Sequence, residues 1–199
     1  MRIGVDIDGV LNNISDWHFT YGSKYASEKN INRGFNPCEY FVKDVFSFTK
    51  EERCEFWNEH MIKLVKTIEI RPFAVEVLEK LKAMGHTIVI LSARNNDFLV
   101  GEYQGKMFEL SVEWLDKNKV PYDEIITDST SKWQKCIDKK LDVMIEDKAK
   151  NILEISKYIP VLCFDQPHNQ DIEGKNIYRV FSWYQIYDYF KETEDIEII

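Results

Sequence analysis

Two carboxylates two residues apart, Asp6 and Asp8, close a short apolar run directly before a glycine, in Arg2-Ile3-Gly4-Val5-Asp6-Ile7-Asp8-Gly9-Val10-Leu11-Asn12. Ile3 to Ile7 reads as a buried strand. On an extended backbone, residues two apart leave on the same side, so both carboxylates are expected to face one way. Like charges this close repel, and burying them is costly. A positive charge is therefore expected between them, and oxygen-only donors at a strand end suit a hard cation such as Mg²⁺. Gly9 marks a turn or a close approach of other groups.

The elements that must position these groups alternate along the chain. After Asn12, helix-compatible sequence runs through Ile14, Trp17, His18, Tyr21 and Tyr25 and stops in the polar segment Glu28 to Gly34. Residues 35–48 are dense in aromatics. Thr49-Lys50-Glu51-Glu52 has the capping-box pattern, and Phe56, Trp57, His60 and Leu64 give the following helix one apolar stripe. With no strand signal between 12 and 68, residues 13–68 read as a small helical insertion, and 1–12 with 69–199 as the core. Pro72 fits the first turn of a helix carrying Val75, Val77, Leu78 and Leu81, which Gly85 ends. Thr87 to Leu91 is a second continuous apolar strand, of the kind buried on both faces in a parallel sheet. A helix with Phe108, Leu110, Val112, Trp114 and Leu115 leads to a short strand, Glu124 to Thr127. Ser129 to Lys132 open a helix through Trp133 and Cys136, followed by a strand from Leu141 to Ile145 that ends in Glu146-Asp147. A helix with Ile152, Leu153 and Ile155, a fifth strand from Pro160 to Phe164, a polar loop from Asp165 to Lys175 and a last helix from Trp183 to Phe190 complete the pattern; the acidic tail from Glu192 is expected to fray. Strands alternating with helices imply right-handed crossovers and an α/β, doubly wound parallel sheet. In such sheets the site lies beyond the carboxyl ends of the strands, where Asp6, Asp8, Ser92, Glu146 and Asp147 all fall.

Composition narrows the classes of function. The 199 residues suffice for one domain or a core with a small insertion. A net charge of −8 disfavours a surface for nucleic-acid polymers but leaves a single nucleotide open. Cys38, Cys54, Cys136 and Cys163 form no C-x-x-C or zinc pattern and read as reduced thiols of a cytoplasmic protein. The strand at Arg2 leaves no room for a targeting peptide, and no apolar run is long enough to span a membrane. His18, His60, His86 and His168 lack metal spacing and read as structural or exposed; only His18 lies near the site by sequence.

Asp6-Ile7-Asp8-Gly9-Val10 resembles the D-x-D-G-[VT] motif of the haloacid dehalogenase-like phosphohydrolases. The resemblance extends to Ile90-Leu91-Ser92, to a lysine before the last catalytic strand, and to Val143-Met144-Ile145-Glu146-Asp147. It implies that Asp6 attacks phosphorus and forms an aspartyl-phosphate, while Asp8 protonates the leaving oxygen and then activates water. Ser92 and the backbone N–H of Ala93 would bind phosphoryl oxygens. Lys132, Lys135, Lys139 and Lys140 are candidates for the lysine; Lys132 starts the helix before the fourth strand, where the family places it. Mg²⁺ would be held by Asp6, by the backbone carbonyl of Asp8 and by Asp147. Glu146 departs from the commoner Asp-Asp pair, acting through water or on a partner of the metal site.

The short insertion, Arg71-Pro72 and the Ile145-Glu146-Asp147 ending are similar to the 5'(3')-deoxyribonucleotidase (cytosolic type C) branch, which dephosphorylates nucleoside monophosphates. That resemblance offers Trp17, Phe19, Tyr21, Phe41, Phe46 and Phe48 for base or sugar contacts, although a small cap also needs aromatics for its own core. Arg94 and Asn95 are placed for polar substrate contacts, and Asn12 and Asn13 for substrate, turn or cap roles. Two alternatives stay open: a phosphatase for a sugar phosphate or other small phosphomonoester, and a noncatalytic binding protein. The aromatic insertion equally suits a homodimer contact.

Overall fold

The computed structural model describes residues 1–127 and 131–197, with side chains to residue 192; Ser129 and the end of the acidic tail lie outside the described residues. The elements run β1 (Arg2–Val5), α1 (Ile14–Glu28), α2 (Val42–Val45), α3 (Lys50–Thr67), α4 (Ala74–Ala83), β2 (Thr87–Leu91), α5 (Met107–Lys117), β3 (Glu124–Ile126), α6 (Lys132–Asp138), β4 (Val143–Glu146), α7 (Ala149–Ile155), β5 (Val161–Phe164), β6 (Ile177–Val180) and α8 (Trp183–Glu197). The strands form one sheet in the order β3-β2-β1-β4-β5-β6. Every pairing is parallel. This is the α/β, doubly wound arrangement expected from the alternating pattern, with β1 and β4 side by side at its centre.

Side-chain alternation along the strands explains both helical layers. Ile3, Val5, Ile88, Ile90, Val143, Ile145, Leu162 and Phe164 pack with Val77, Leu78, Leu81, Trp114, Trp183, Ile186 and Phe190 of α4, α5 and α8. Val89, Leu91, Met144, Val161 and Cys163 pack with Cys136, Ile152 and Ile155 of α6 and α7. Continuous apolar runs are therefore covered on both faces.

Four local expectations are corrected. β1 ends at Val5, and Ile7–Leu11 is instead a tight turn closed by Asn12 N–H on the Ile7 carbonyl at 3.2 Å. Pro72 does not begin α4, whose N-cap is Phe73 in the left-handed region (φ 64°). A sixth strand, β6, follows the polar loop; its half-buried pattern carries little hydrophobic signal. Helix α8 continues past Phe190 to Glu197.

The segment between Asn12 and Ile70 holds α1, α2 and α3, and those two residues meet in an antiparallel bridge at its base. Thr49 accepts from Glu52 N–H while Glu52 accepts from Thr49 N–H, the capping box that starts α3. Tyr25, Phe46, Phe48 and Phe56 form its aromatic interior.

Candidate active site

The carboxyl ends of β1, β2 and β4 open into a cleft of about 430 Å³ beneath the helical segment. The turn after β1 determines where its two carboxylates go. Asp6 N–H still donates to the Ile145 carbonyl at 3.1 Å, extending the sheet by one bond. Asp6 Oδ1 accepts from Ile7 N–H at 2.7 Å, and Oδ2 lies 2.6 Å from Lys132 Nζ. Gly9 then takes φ +88°, and a Cβ there would collide with the Asp147 carboxylate. Glycine is required at this position for both conformation and space.

Lys132 Nζ is buried at the first turn of α6 and also donates to Glu146 Oε2 at 2.8 Å. Glu146 is fully occupied: Oε1 accepts from Asp147 and Lys148 N–H at 3.1 and 3.0 Å, and Oε2 also accepts from Asn151 at 3.1 Å. Glu146 therefore anchors Lys132 at the site. Asp147 is the opposite case. It is wholly buried, and among the described residues neither carboxylate oxygen has a hydrogen-bond partner.

Asp6, Glu146 and Asp147 bring carboxylate oxygens within 4.8 Å of one another. Against one ammonium, these three buried carboxylates carry excess negative charge. Burial, with repulsion from Glu146 and Asp147, raises the Asp6 carboxyl well above its usual range despite Lys132. Burial and Glu146 push Asp147 up to about 6, partly offset by His168. Glu146 is also pushed upward by burial, but Lys132 and its backbone donors outweigh this and hold it ionised. The orphaned Asp147 oxygens and the uncompensated charge fit a hard divalent cation bound by oxygen donors.

Asp8 leaves the turn toward β2. Arg94 grips it with two bonds, Nε to Oδ2 at 2.8 Å and Nη2 to Oδ1 at 2.7 Å, and Asn12 Nδ2 donates to Oδ1 at 2.9 Å. Burial alone would raise the Asp8 carboxyl, but Arg94 and Asn12 hold it below the ordinary range. Arg94 Nη1 is buried without a partner. Ser92 is buried, and its Oγ accepts from Arg94 N–H at 3.2 Å, leaving the hydroxyl hydrogen available to a ligand. Ser92, Ala93, Arg94 and Asn95 all line the cleft with Asp6 and Asp8. Asn95 is an exposed rim residue whose side chain accepts from Asp97 N–H at 2.9 Å.

The aromatic candidates separate. Phe41 lines the cleft and is 50% exposed. Trp17 does not line it; 7% exposed, it stacks on Tyr21 at 4.3 Å within the helical segment. Phe46 and Phe48 likewise pack in the interior, Phe19 and Tyr21 are partly buried against it, and none of the four lines the cleft. Asn13 caps α1 through Asp16 N–H. Tyr40, Trp57, Phe98, Arg53 and Lys148 line the cleft without having been singled out as substrate contacts. Trp57 had been assigned to an apolar stripe, and stripe spacing does not distinguish a core face from a cleft wall.

The segment after β5 was read only as a polar loop, yet it braces the site. Gln166 Nε2 donates to the Gly9 carbonyl at 3.0 Å, and Asn169 Nδ2 to the Asp147 carbonyl at 2.7 Å. His168, expected to be structural or exposed, has a buried side chain with Nε2 3.2 Å from Asp147 Oδ2. Its position beyond the carboxyl end of a strand was the available signal.

A parallel sheet carrying an Asp-x-Asp turn after its central strand, a buried lysine and an acidic pair after the neighbouring strand defines a haloacid dehalogenase-like hydrolase. Solved structures share this fold: a haloacid dehalogenase-like hydrolase from Streptococcus pneumoniae has a TM-score of 0.67 at 13% identity, covering 95% of this chain and 97% of its own. A β-phosphoglucomutase from Clostridium difficile has a TM-score of 0.61 at 18% identity, covering 99% and 98%. A protein of Clostridium acetobutylicum named as a nucleotidase is 26% identical over 189 residues, 94% of this chain and 92% of that protein. The model of the family described as 5' nucleotidase, deoxy (pyrimidine), cytosolic type C matches residues 1–193. The chain belongs to that family, and it is an enzyme of the haloacid dehalogenase-like phosphatase class.

Proposed function

We propose that the protein is a Mg²⁺-dependent phosphomonoester hydrolase acting on nucleoside monophosphates, deoxynucleotides among them, with Asp6 as nucleophile. The observation that carries this reading is the buried group Asp6, Lys132, Glu146 and Asp147, whose Asp6 lines, with Asp8 and Ser92, a cleft of nucleotide size. Family membership supports the substrate class.

An oxygen of Asp6 attacks phosphorus in line, and the ester P–O bond breaks as the Asp6–phosphorus bond forms. The departing alkoxide takes a proton from Asp8. Water then attacks the aspartyl-phosphate and gives its proton to Asp8, releasing inorganic phosphate and restoring Asp6. Ser92 Oγ–H and the Ala93 N–H donate to phosphoryl oxygens, and Lys132 offsets charge on Asp6 and the transferring group. Asp6, Asp147 and the Asp8 carbonyl would hold Mg²⁺, which when bound would supply Lewis-acid neutralisation of the phosphoryl charge. Arg94 has two tasks in this scheme. It keeps Asp8 ionised, and its unpartnered Nη1 offers a phosphate dianion a donor. Engagement with substrate loosens its hold on Asp8, which takes up a proton from solvent and delivers it to the departing alkoxide; the proton that Asp8 later takes from the attacking water returns to solvent when Arg94 closes on it again.

Trp57, Phe98 and Phe41 supply the apolar walls for a base or sugar. A cytoplasmic setting accords with four cysteines outside any disulfide and with the absence, among the described residues, of a helix able to cross a membrane. The test is phosphate release from deoxynucleoside and ribonucleoside 5'- and 3'-monophosphates, sugar phosphates and an aryl phosphate, each with Mg²⁺ and with EDTA. Mg²⁺-dependent preference for nucleotides supports the reading. Preference for a sugar phosphate keeps the chemistry and rejects the substrate class, and release unaffected by EDTA rejects the metal.

A further inference from the structure

We propose that His168 is a positioning residue for metal binding, donating from Nε2 to Asp147 Oδ2 so that the other face of that carboxylate is presented to the cation. This inference rests on the metal-dependent reading above.

The His168 side chain is 3% exposed, and among the described residues its Nε2 has no hydrogen-bond partner. It lies 3.2 Å from an oxygen of the one acidic side chain in the cluster that nothing else holds. Lys132 and backbone donors fix Asp6 and Glu146, whereas Asp147 has no comparable donor. A ligating carboxylate free to rotate loses affinity, because binding must first immobilise it. Partners that orient a ligand by hydrogen bonding correct this. A small rotation of the imidazole converts the present approach into such a bond.

The surroundings are built to hold the ring there. Asn169 donates to the Asp147 carbonyl at 2.7 Å and to the Phe164 carbonyl at 2.9 Å, tying the loop to the ends of both β4 and β5. Arg179 of β6 locks that loop with bonds to Asp165 at 2.8 Å, to Asn169 Oδ1 at 2.9 Å and to the Asn169 carbonyl at 2.8 Å. Gln166 reaches the Gly9 carbonyl at 3.0 Å, so one brace touches both acidic strand ends. Tyr40 closes the other side, with its ring edge-on to His168 at 4.9 Å. The sixth strand thus acts on the site through Arg179.

The test is calorimetric titration of the full chain with Mg²⁺ and Mn²⁺, alongside thermal unfolding without metal. His168→Phe keeps the ring volume against Tyr40 and removes the donor; it is expected to weaken both metals about 10- to 100-fold. His168→Gln carries an amide nitrogen near the former Nε2 and is expected to restore most of that affinity. The melting temperature without metal is expected to change little in either variant. Equal affinity in wild type and His168→Phe overturns the inference while leaving the functional reading intact. A wild-type protein that binds neither metal overturns both. A large ¹⁴N coupling in the spectrum of bound Mn²⁺ would make His168 a direct ligand and overturn the positioning role. Loss of affinity in both variants with an unfolded baseline would assign His168 to packing and overturn it too.

Discussion

Replacing Lys132 by Met tests the electrostatic design of the site. The ammonium stands 2.6 Å from Asp6 and 2.8 Å from Glu146, with its side chain 2% exposed. Met keeps the apolar stem and removes the charge, so two carboxylates are left facing each other in a dry interior. Breaking a buried pair in this way costs about 3–5 kcal/mol. For a chain of this length that is a fall of about 6–20 °C in melting temperature, at roughly 2–4 °C per kcal/mol. The sign with pH follows from proton binding. Without Lys132 the folded carboxylates titrate above their unfolded values of about 4, so the folded state binds more protons. The deficit is therefore greatest near pH 8 and shrinks toward pH 5. Adding Glu146→Gln removes one of the opposed charges and should recover about 1–3 kcal/mol of stability, without restoring phosphate release. Denaturant unfolding of the wild type, both single variants and the double variant at pH 8 and pH 5 measures all of this. A loss below about 1 kcal/mol that is the same at both pH values would refute the reasoning.

Other perturbations separate the remaining parts. Gly9→Ala forces a Cβ into the Asp147 carboxylate at φ +88°, and displacing that ligand should lower kcat about 100-fold or more with weaker Mg²⁺ binding; steady-state kinetics and a metal titration check it. Arg94→Met removes two charged bonds to Asp8 and the donor offered to phosphate, and should raise KM about 10- to 100-fold in initial-rate assays. Burial holds His18 down to about 4, against the pull of Asp8. The unfolded chain therefore takes up this proton first, and His18 contributes to a loss of stability as pH falls from about 6.5 to 4, on the order of 3 kcal/mol in total. His18→Gln should flatten that part of the stability–pH curve measured by urea unfolding, and an unchanged curve would show that His18 titrates normally.

The fold was legible where physics acts locally. Continuous apolar runs marked β2, β4 and β5, and the Thr49–Glu52 box marked the start of α3. The acidic pairs were legible because strand ends of an α/β sheet gather at one edge, whereas Lys132 was singled out by the family resemblance. The misses have a common cause. β6 alternates half-buried and exposed positions, so its burial signal was weak. Trp17 and Phe41 have the same chemical character in sequence, and only packing separates an interior ring from a cleft wall. Gln166 lies 157 residues from the Gly9 carbonyl it braces, and Asn169 lies 22 from Asp147, and no local pattern encodes a hydrogen bond across either separation. Arg94 was offered for polar substrate contacts and lines the cleft, but its grip on Asp8 depends on the register of β1 against β2.

The most direct test of the central claim is the covalent state of Asp6 during turnover. The protein is mixed with a deoxynucleoside monophosphate and Mg²⁺, quenched in acid within milliseconds, and mapped by mass spectrometry. The account predicts one phosphoryl group on the peptide containing Asp6, none in Asp6→Asn, and no phosphate release by that variant. Phosphate release at the wild-type rate by Asp6→Asn, or a phosphoryl group on another side chain, would contradict it.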